Sequence, residues 1–498
     1  CPMSRPARSL VAVVALLVVG LGVAAATAPE PARHGAAATR RTVPVALAGG
    51  VCPDPVSDAG SQTRVGLAAP GPLRSGGAGS GTPQSGSVAL TDLGGTAAPL
   101  ATLSTPSAGT QVAPPKSPPL VAAASGALAP GFAASMVTRT AGGDLRGLAG
   151  TTCPAAGTEF WFVGSGAVVG QRGRLYLSNP EPAPAVVDVM LYGPDGPIDA
   201  PGGRGIAVAP GAQRVVLLDA LSPDTARFGV HVQAEQGRVS AAVRDQQVAG
   251  LDPRGTDWVP AAVAPRRHLV VPGVPAGAGE SRLQILVPGD SDAIVKVRLI
   301  GPDGSYAPTG LDVVQASAGG VTDIDLTPHT KGQNVAVDLT SDQPVTAGVL
   351  TRVGGAAGRL GEIGYTAAAD ALGPAQPATE AQAWTGANVG TTLMLAAPGG
   401  GARVEVAPLP PATGTAQTVE IPAGTLAVLD LAKVSRAPVF GFTVVPEAGS
   451  GPVVASRQIN ALDPHGPMLT IAPLQPGRFA VAVPSAQADL SAGLRPRR

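Results

Sequence analysis

Short runs in which apolar and polar residues alternate cover most of the chain, separated by clusters of Gly, Pro, Asp and Asn. In IVKVRLI, Val295, Val297 and Leu299 alternate with Lys296 and Arg298, the period-two pattern of a half-buried strand. NVAVDLTSDQPVTAGVLTR reads as two strands around a polar turn at Ser341–Pro344. FGVHVQAEQGRVSAAVRD and VFGFTVVPEAGSGPVVASRQ repeat that form elsewhere. Helical periodicity is nearly absent. YTAAADALGPAQPATEAQA is rich in Ala and is expected to hold a short helix or a linker.

The strands recur in a fixed order. GPDG occurs at Gly193–Gly196 and again, 108 residues on, at Gly301–Gly304. GRLYLSNP answers SRLQILVP at the same offset, and Arg244 answers Arg352. A third copy carries TTLMLAAP, Asp430 and Arg457, with PLPPATG in place of GPDG. An eroded copy before the others carries TRVGLAAP and Arg139. Within a copy GPDG ends a strand. Pro sets φ and Asp and Gly suit the next positions, so it reads as a β-turn. A calcium loop would need further carboxylates at alternate positions, which the second GPDG lacks.

About seven short strands per copy predict an all-β protein of tandem antiparallel β-sandwich modules, immunoglobulin- or fibronectin-like. The expected boundaries are 44–157 (degenerate), 158–265, 266–372 and 373–498, the last with a C-terminal strand and tail. A propeller blade is about 40–50 residues, too short for this period.

The first residues decide the compartment. Arg5 and Arg8 precede an apolar run from Ser9 to Ala28, which reads as a signal peptide or transmembrane anchor within 1–30, with a linker at 31–43. Pro29 follows the ATA cleavage-like site and disfavours cleavage, so a single-pass anchor with an extracytoplasmic C-terminal region is expected; cleavage would give a secreted protein. Cys52 and Cys153 form an even pair in such a chain and are expected to be disulfide-bonded. The 34 basic and 34 acidic residues balance, which argues against a nucleic-acid partner.

No catalytic, metal or cofactor constellation stands out. The five His residues have no metal-ligand spacing, and G-x-S-x-G is absent. The sharpest features are the Asp219, Asp325 and Asp430 series and the Arg139, Arg244, Arg352 and Arg457 series. The structural reading has each Asp capping a turn and each Arg on the outer face of a last strand. The functional reading makes Arg244, Arg352, Arg457 and Trp161 ligand contacts. Trp161, Trp258 and Trp384 lie near module starts and are expected at module junctions, with stacking on a sugar as the alternative.

The N-terminal apolar segment, CPAAGTEFWFVG from Cys153 to Gly164, the strand ending in SNP and the GPDG turns together resemble the actinobacterial domain-of-unknown-function family 5719. That resemblance implies a cell-envelope context and supplies no catalytic residue. The expected function is a non-enzymatic envelope scaffold or binding module. Its partners would be envelope proteins or cell-wall glycans, with the membrane reached through the N-terminal helix. The alternatives are a carbohydrate-active cell-wall enzyme or its accessory subunit, and a passive structural spacer.

Overall fold

Eight antiparallel sheets account for nearly all the regular structure of a computed structural model, which describes residues 41–55, 60–72, 85–95, 98–114, 118–354 and 360–483. The anchor or signal at 1–30 and residues 31–40 of the linker lie outside these. Residues 44–480 form one compact unit. The other unit includes the described residues 41–43 and 481–483, where Arg41–Pro44 pairs with Ala480–Val483.

Within 44–480 one strand order occurs four times. In the first sheet pair the eight strands are Leu47–Cys52, Ser61–Ala69, Gly86–Asp92, Ala101–Leu103, Ala108–Val112, Leu120–Gly126, Ala133–Thr140 and Gly147–Thr152. One sheet has the order first, sixth, third, fourth, and the other fifth, second, seventh, eighth. The same two orders recur in the pairs ending at Asp252–Val259, Gly361–Ala367 and Gly466–Pro473. In the third pair the sixth and seventh strands are one continuous element, Val335–Gly354, whose halves serve the two sheets. The eighth strand is one more than the sequence pattern indicates. The Ala-rich stretch is also strand at both ends, Tyr365 closing into Gly361–Ala367 and Ala378–Trp384 opening the fourth pair. Burial overrides helix propensity there, because every residue of both strands is buried or nearly so.

Each pair encloses its own core. In the fourth, Val404, Val406, Phe442 and Val444 from one sheet meet Leu393, Leu395, Leu429 and Ala455 from the other. Each such large side chain contributes roughly 1.5–3 kcal/mol by leaving water. Asp325 and Asp430 end their strands, whereas Asp219 lies two residues past its strand, in the short helix Leu218–Leu221. Asp325 accepts from Thr327 N at 2.9 Å, Asp430 from Ala432 N at 2.9 Å and Asp219 from Ala220 N at 3.0 Å.

The four pairs close into a ring. Trp161 and Val163 of the second pair pack on Leu286 and Val321 of the third. Val270 and Ile300 of the third pack on Met394 and Val454 of the fourth. Trp384 and Ile459 of the fourth pack on Val137 and Leu148 of the first. Cys52 and Leu120 of the first join Tyr176 and Trp258 of the second. Closure covers the inner sheets on both faces, so Ser240–Ala249 is buried at eight consecutive positions. The third strands face solvent on one side over part of their length, with alternation unbroken in Ala185–Gly193.

The turns also serve closure. GPDG forms two-residue hairpins in which Gly193 pairs Gly196 and Gly301 pairs Gly304, with Gly196 at φ 129° and Gly304 at φ 137°. Each turn of this kind rests on the next pair, close to the start of its fifth strand. Pro197 lies against Gly319, and Ser305 against Gly424. PLPPATG of the fourth pair returns to the first, where Pro410 O accepts from Gly109 N at 2.6 Å. Between the first two pairs Gly94 meets Gly211, and a Cβ on Gly94 would sit 2.4 Å from Gly211 O at φ +71°. Gly94→Ala is therefore expected to cost about 1–3 kcal/mol in urea unfolding. Gly390→Ala, with open space at the Cβ position, is the neutral control.

Candidate functional site

The last strands of the four pairs gather where the pairs meet, held by two carboxyl groups. Asp257 Oδ1 accepts from Gly150 N at 3.1 Å and Thr470 Oγ1 at 2.9 Å, and Oδ2 from Tyr365 N at 3.3 Å. Glu362 Oε2 accepts from Leu148 N at 2.9 Å, and Oε1 from Thr256 N at 3.0 Å and Ile363 N at 3.1 Å. These two side chains thus touch all four innermost strands. A third carboxylate, Asp245, accepts from Ser165, Gln171, Gln247 and the Tyr365 hydroxyl, the last at 2.7 Å. All three are buried, and among the described residues none is in an ion pair. Burial pushes the Asp257 and Glu362 carboxyls well above the usual carboxylate range, against the pull of their backbone donors. Asp245 is raised for the same reason.

Beside this knot lies a half-open cavity of about 1480 Å³. Its wall includes the first strand from Leu47 to Val51, the disulfide residue Cys153, Phe160 and Phe162, Val259–Val263, Asp370, and Ile471–Arg478. Small side chains and backbone make most of the surface. Its charges are partly paired, Glu181 with Arg238, Asp370 with Arg266 and Glu380 with Arg457. Cys52 and Cys153 are bonded, with Cα atoms 4.3 Å apart. Val51 N donates to Pro154 O at 2.9 Å beside the bond, fixing this wall.

Arg244 and Arg457 lie inside the assembly and not on an outer face, because the seventh strands that carry them are covered on both sides, while Arg139 and Arg352 are half-buried. Arg244 is buried, donates to Pro55 O at 2.7 Å and lies 5.8 Å from the Trp258 ring centre. Arg457 is buried and donates to Glu380 at 3.3 Å and Gln382 O at 2.9 Å. Glu380 in turn accepts from Ser135 Oγ of the first pair at 2.7 Å. Arg352, half-buried, bridges Glu280 at 2.5 Å and Gln247 of the second pair at 3.3 Å. Trp161 stacks on His231 at 3.7 Å, and its Nε1 donates to Glu159 at 3.0 Å. The structure therefore places these four residues in junctions and not together around the cavity. Asp257 and Glu362 escaped the sequence reading. Their signal is weak: Asp257 stands two positions after Gly255 on a strand that also carries Asp252 and Arg254, and Glu362 directly follows Gly361.

No curated protein matches the chain. The crystal structure of a Thermotoga maritima protein matches at 16% identity over 21% of this chain and 95% of that one, with a TM-score of 0.19. That score is too low to carry an argument. Residues 101–432 match the family of unknown function DUF5719, a span that takes in Cys153–Gly164, both GPDG turns and both axial carboxyls. The chain belongs to the DUF5719 family.

Proposed function

We propose that the protein is a non-enzymatic scaffold or binding module of the cell envelope that receives an envelope protein or a cell-wall glycan in its cavity. The cavity carries this reading. At about 1480 Å³ it exceeds the roughly 300–1,000 Å³ of small-molecule sites, so it suits a segment of a larger partner. The Cys52–Cys153 bond fits an extracellular or otherwise oxidising environment. Single-pass anchoring through residues 1–30 belongs to the same proposal; among the described residues no helix is long and apolar enough to cross a membrane.

The sheet pairs are proposed to be sandwich modules of the immunoglobulin and fibronectin type of architecture. Their first strand pairs with the sixth, whereas an immunoglobulin domain sets its first strand beside its second, so the likeness is of layers and not of order. Return of the fourth pair onto the first weighs against the spacer reading, since a ring gains little reach from added modules. The carboxyl groups that a glycosidase reading would use are spent on backbone N–H groups.

A photo-crosslinking residue at Phe160, in the full chain expressed in its own cells, tests the proposal. It is expected to capture an envelope protein or glycan that a crosslinker at the outward Ile294 does not. Equal capture from both positions, or none from either, contradicts it.

A further inference from the structure

We propose that the axial carboxyls make ring closure pH-dependent, with Asp257 and Glu362 latching the four innermost strands while at least one of them is protonated and loosening the ring when both ionise. The geometry carries this. Two buried carboxyls on neighbouring strands both draw on the backbone of the other pairs, and neither is in an ion pair among the described residues. A lone buried negative charge can be held by three donors. A second beside it adds repulsion in a medium that screens poorly.

The surroundings do not cancel that charge. The innermost strand Gly147–Thr152 contributes no titratable group, but Arg146 precedes it; its guanidinium donates to Gly361 O at 3.3 Å, next to Glu362, and is paired with Asp463 at 2.8 Å and bonded to Gly466 O at 3.0 Å. Gly466–Pro473 contributes none either, with His465 just before it. Asp252–Val259 adds Asp252 and Arg254, and the seventh strand beside it adds Arg244 and Asp245. Gly361–Ala367 adds Tyr365, whose hydroxyl is raised by burial and by Asp245. Arg457 faces Gly150 and is already paired with Glu380. Arg244 is the cation with a felt attraction to Asp257, and burial depresses it in turn.

The sign follows from linkage. A carboxyl raised in the folded state holds its proton where the unfolded chain has lost it. The contribution of these two carboxyls is therefore complete below the unfolded carboxylate range, near pH 4, and falls as pH rises through the folded value. Each carboxyl titrating in that window lowers the folded-to-unfolded ratio about tenfold per pH unit.

Denaturant unfolding of the full chain across acid to alkaline pH reads this directly. Above the ordinary carboxylate range the wild type is expected to lose stability with rising pH, and Glu362→Gln and Asp257→Asn to show a shallower fall. Equal slopes in all three overturn the proposal. Infrared spectra of the wild type keep it falsifiable should a variant fail to fold. A protonated-carboxyl band that persists above the ordinary carboxylate range and disappears on alkalinisation is expected, and its absence also overturns the proposal.

Discussion

Replacing Cys52 and Cys153 by Ala is expected to lower stability by about 4–5 kcal/mol. The bond closes a loop with a sequence separation of 101 residues, and loop-closure entropy of that size corresponds to about 4.7 kcal/mol. It joins the first strand of the first pair to the segment after its last strand, so it spans the whole pair. Both sulfurs belong to the cluster that includes Trp258 and Tyr176, and the junction with the second pair should weaken as well. Urea unfolding of the wild type and the double variant measures the difference. A loss under about 1 kcal/mol would contradict the loop-closure account.

Glu362→Ala is expected to cost at least about 3 kcal/mol. It leaves Leu148 N, Thr256 N and Ile363 N without their acceptor, and a buried orphaned donor costs about 1–3 kcal/mol. Two of those donors belong to other sheet pairs, so the loss falls on closure as well as on the local strand. Glu362→Gln keeps an amide oxygen for part of the set and should recover part of the stability. Amide exchange at Leu148 and Thr256 locates the effect. Unchanged protection there in Glu362→Ala would show that water or a shifted backbone replaces the carboxyl.

Much of the construction is visible in the chain. Alternation over 293–298 marks a strand wet on one face, and that strand does face solvent at Ile294, Lys296 and Arg298, while Ile300 beyond it is buried against the fourth pair. Cys52 and Cys153, read as a pair from the sequence, are bonded. Closure is not visible in this way. Its contacts join residues far apart, such as Gln382 Nε2 with Arg64 O, and no local period encodes them. The seventh strands carry the trace that a reader can use. They place Ser, Arg, Asp and Gln at both parities of an otherwise apolar run, which alternation theory assigns to an outer face. Cover on both sides explains them, and it moves Arg244 and Arg457 from the surface to the interior. GPDG was legible as a turn, but its partners on the next pair were not, since Gly319 and Gly424 differ in their neighbours.

The distance between the first and fourth sheet pairs tests closure most directly. Spin labels at Ser107 and Thr413, on a chain with Cys1 replaced by Ser, sit on the turns that flank the Gly109–Pro410 hydrogen bond. The closed ring predicts a single short distance between neighbouring turns. Four 100-residue domains in a row would separate them by roughly 100 Å, from the size of one such domain, and no short distance between the labels would contradict the ring.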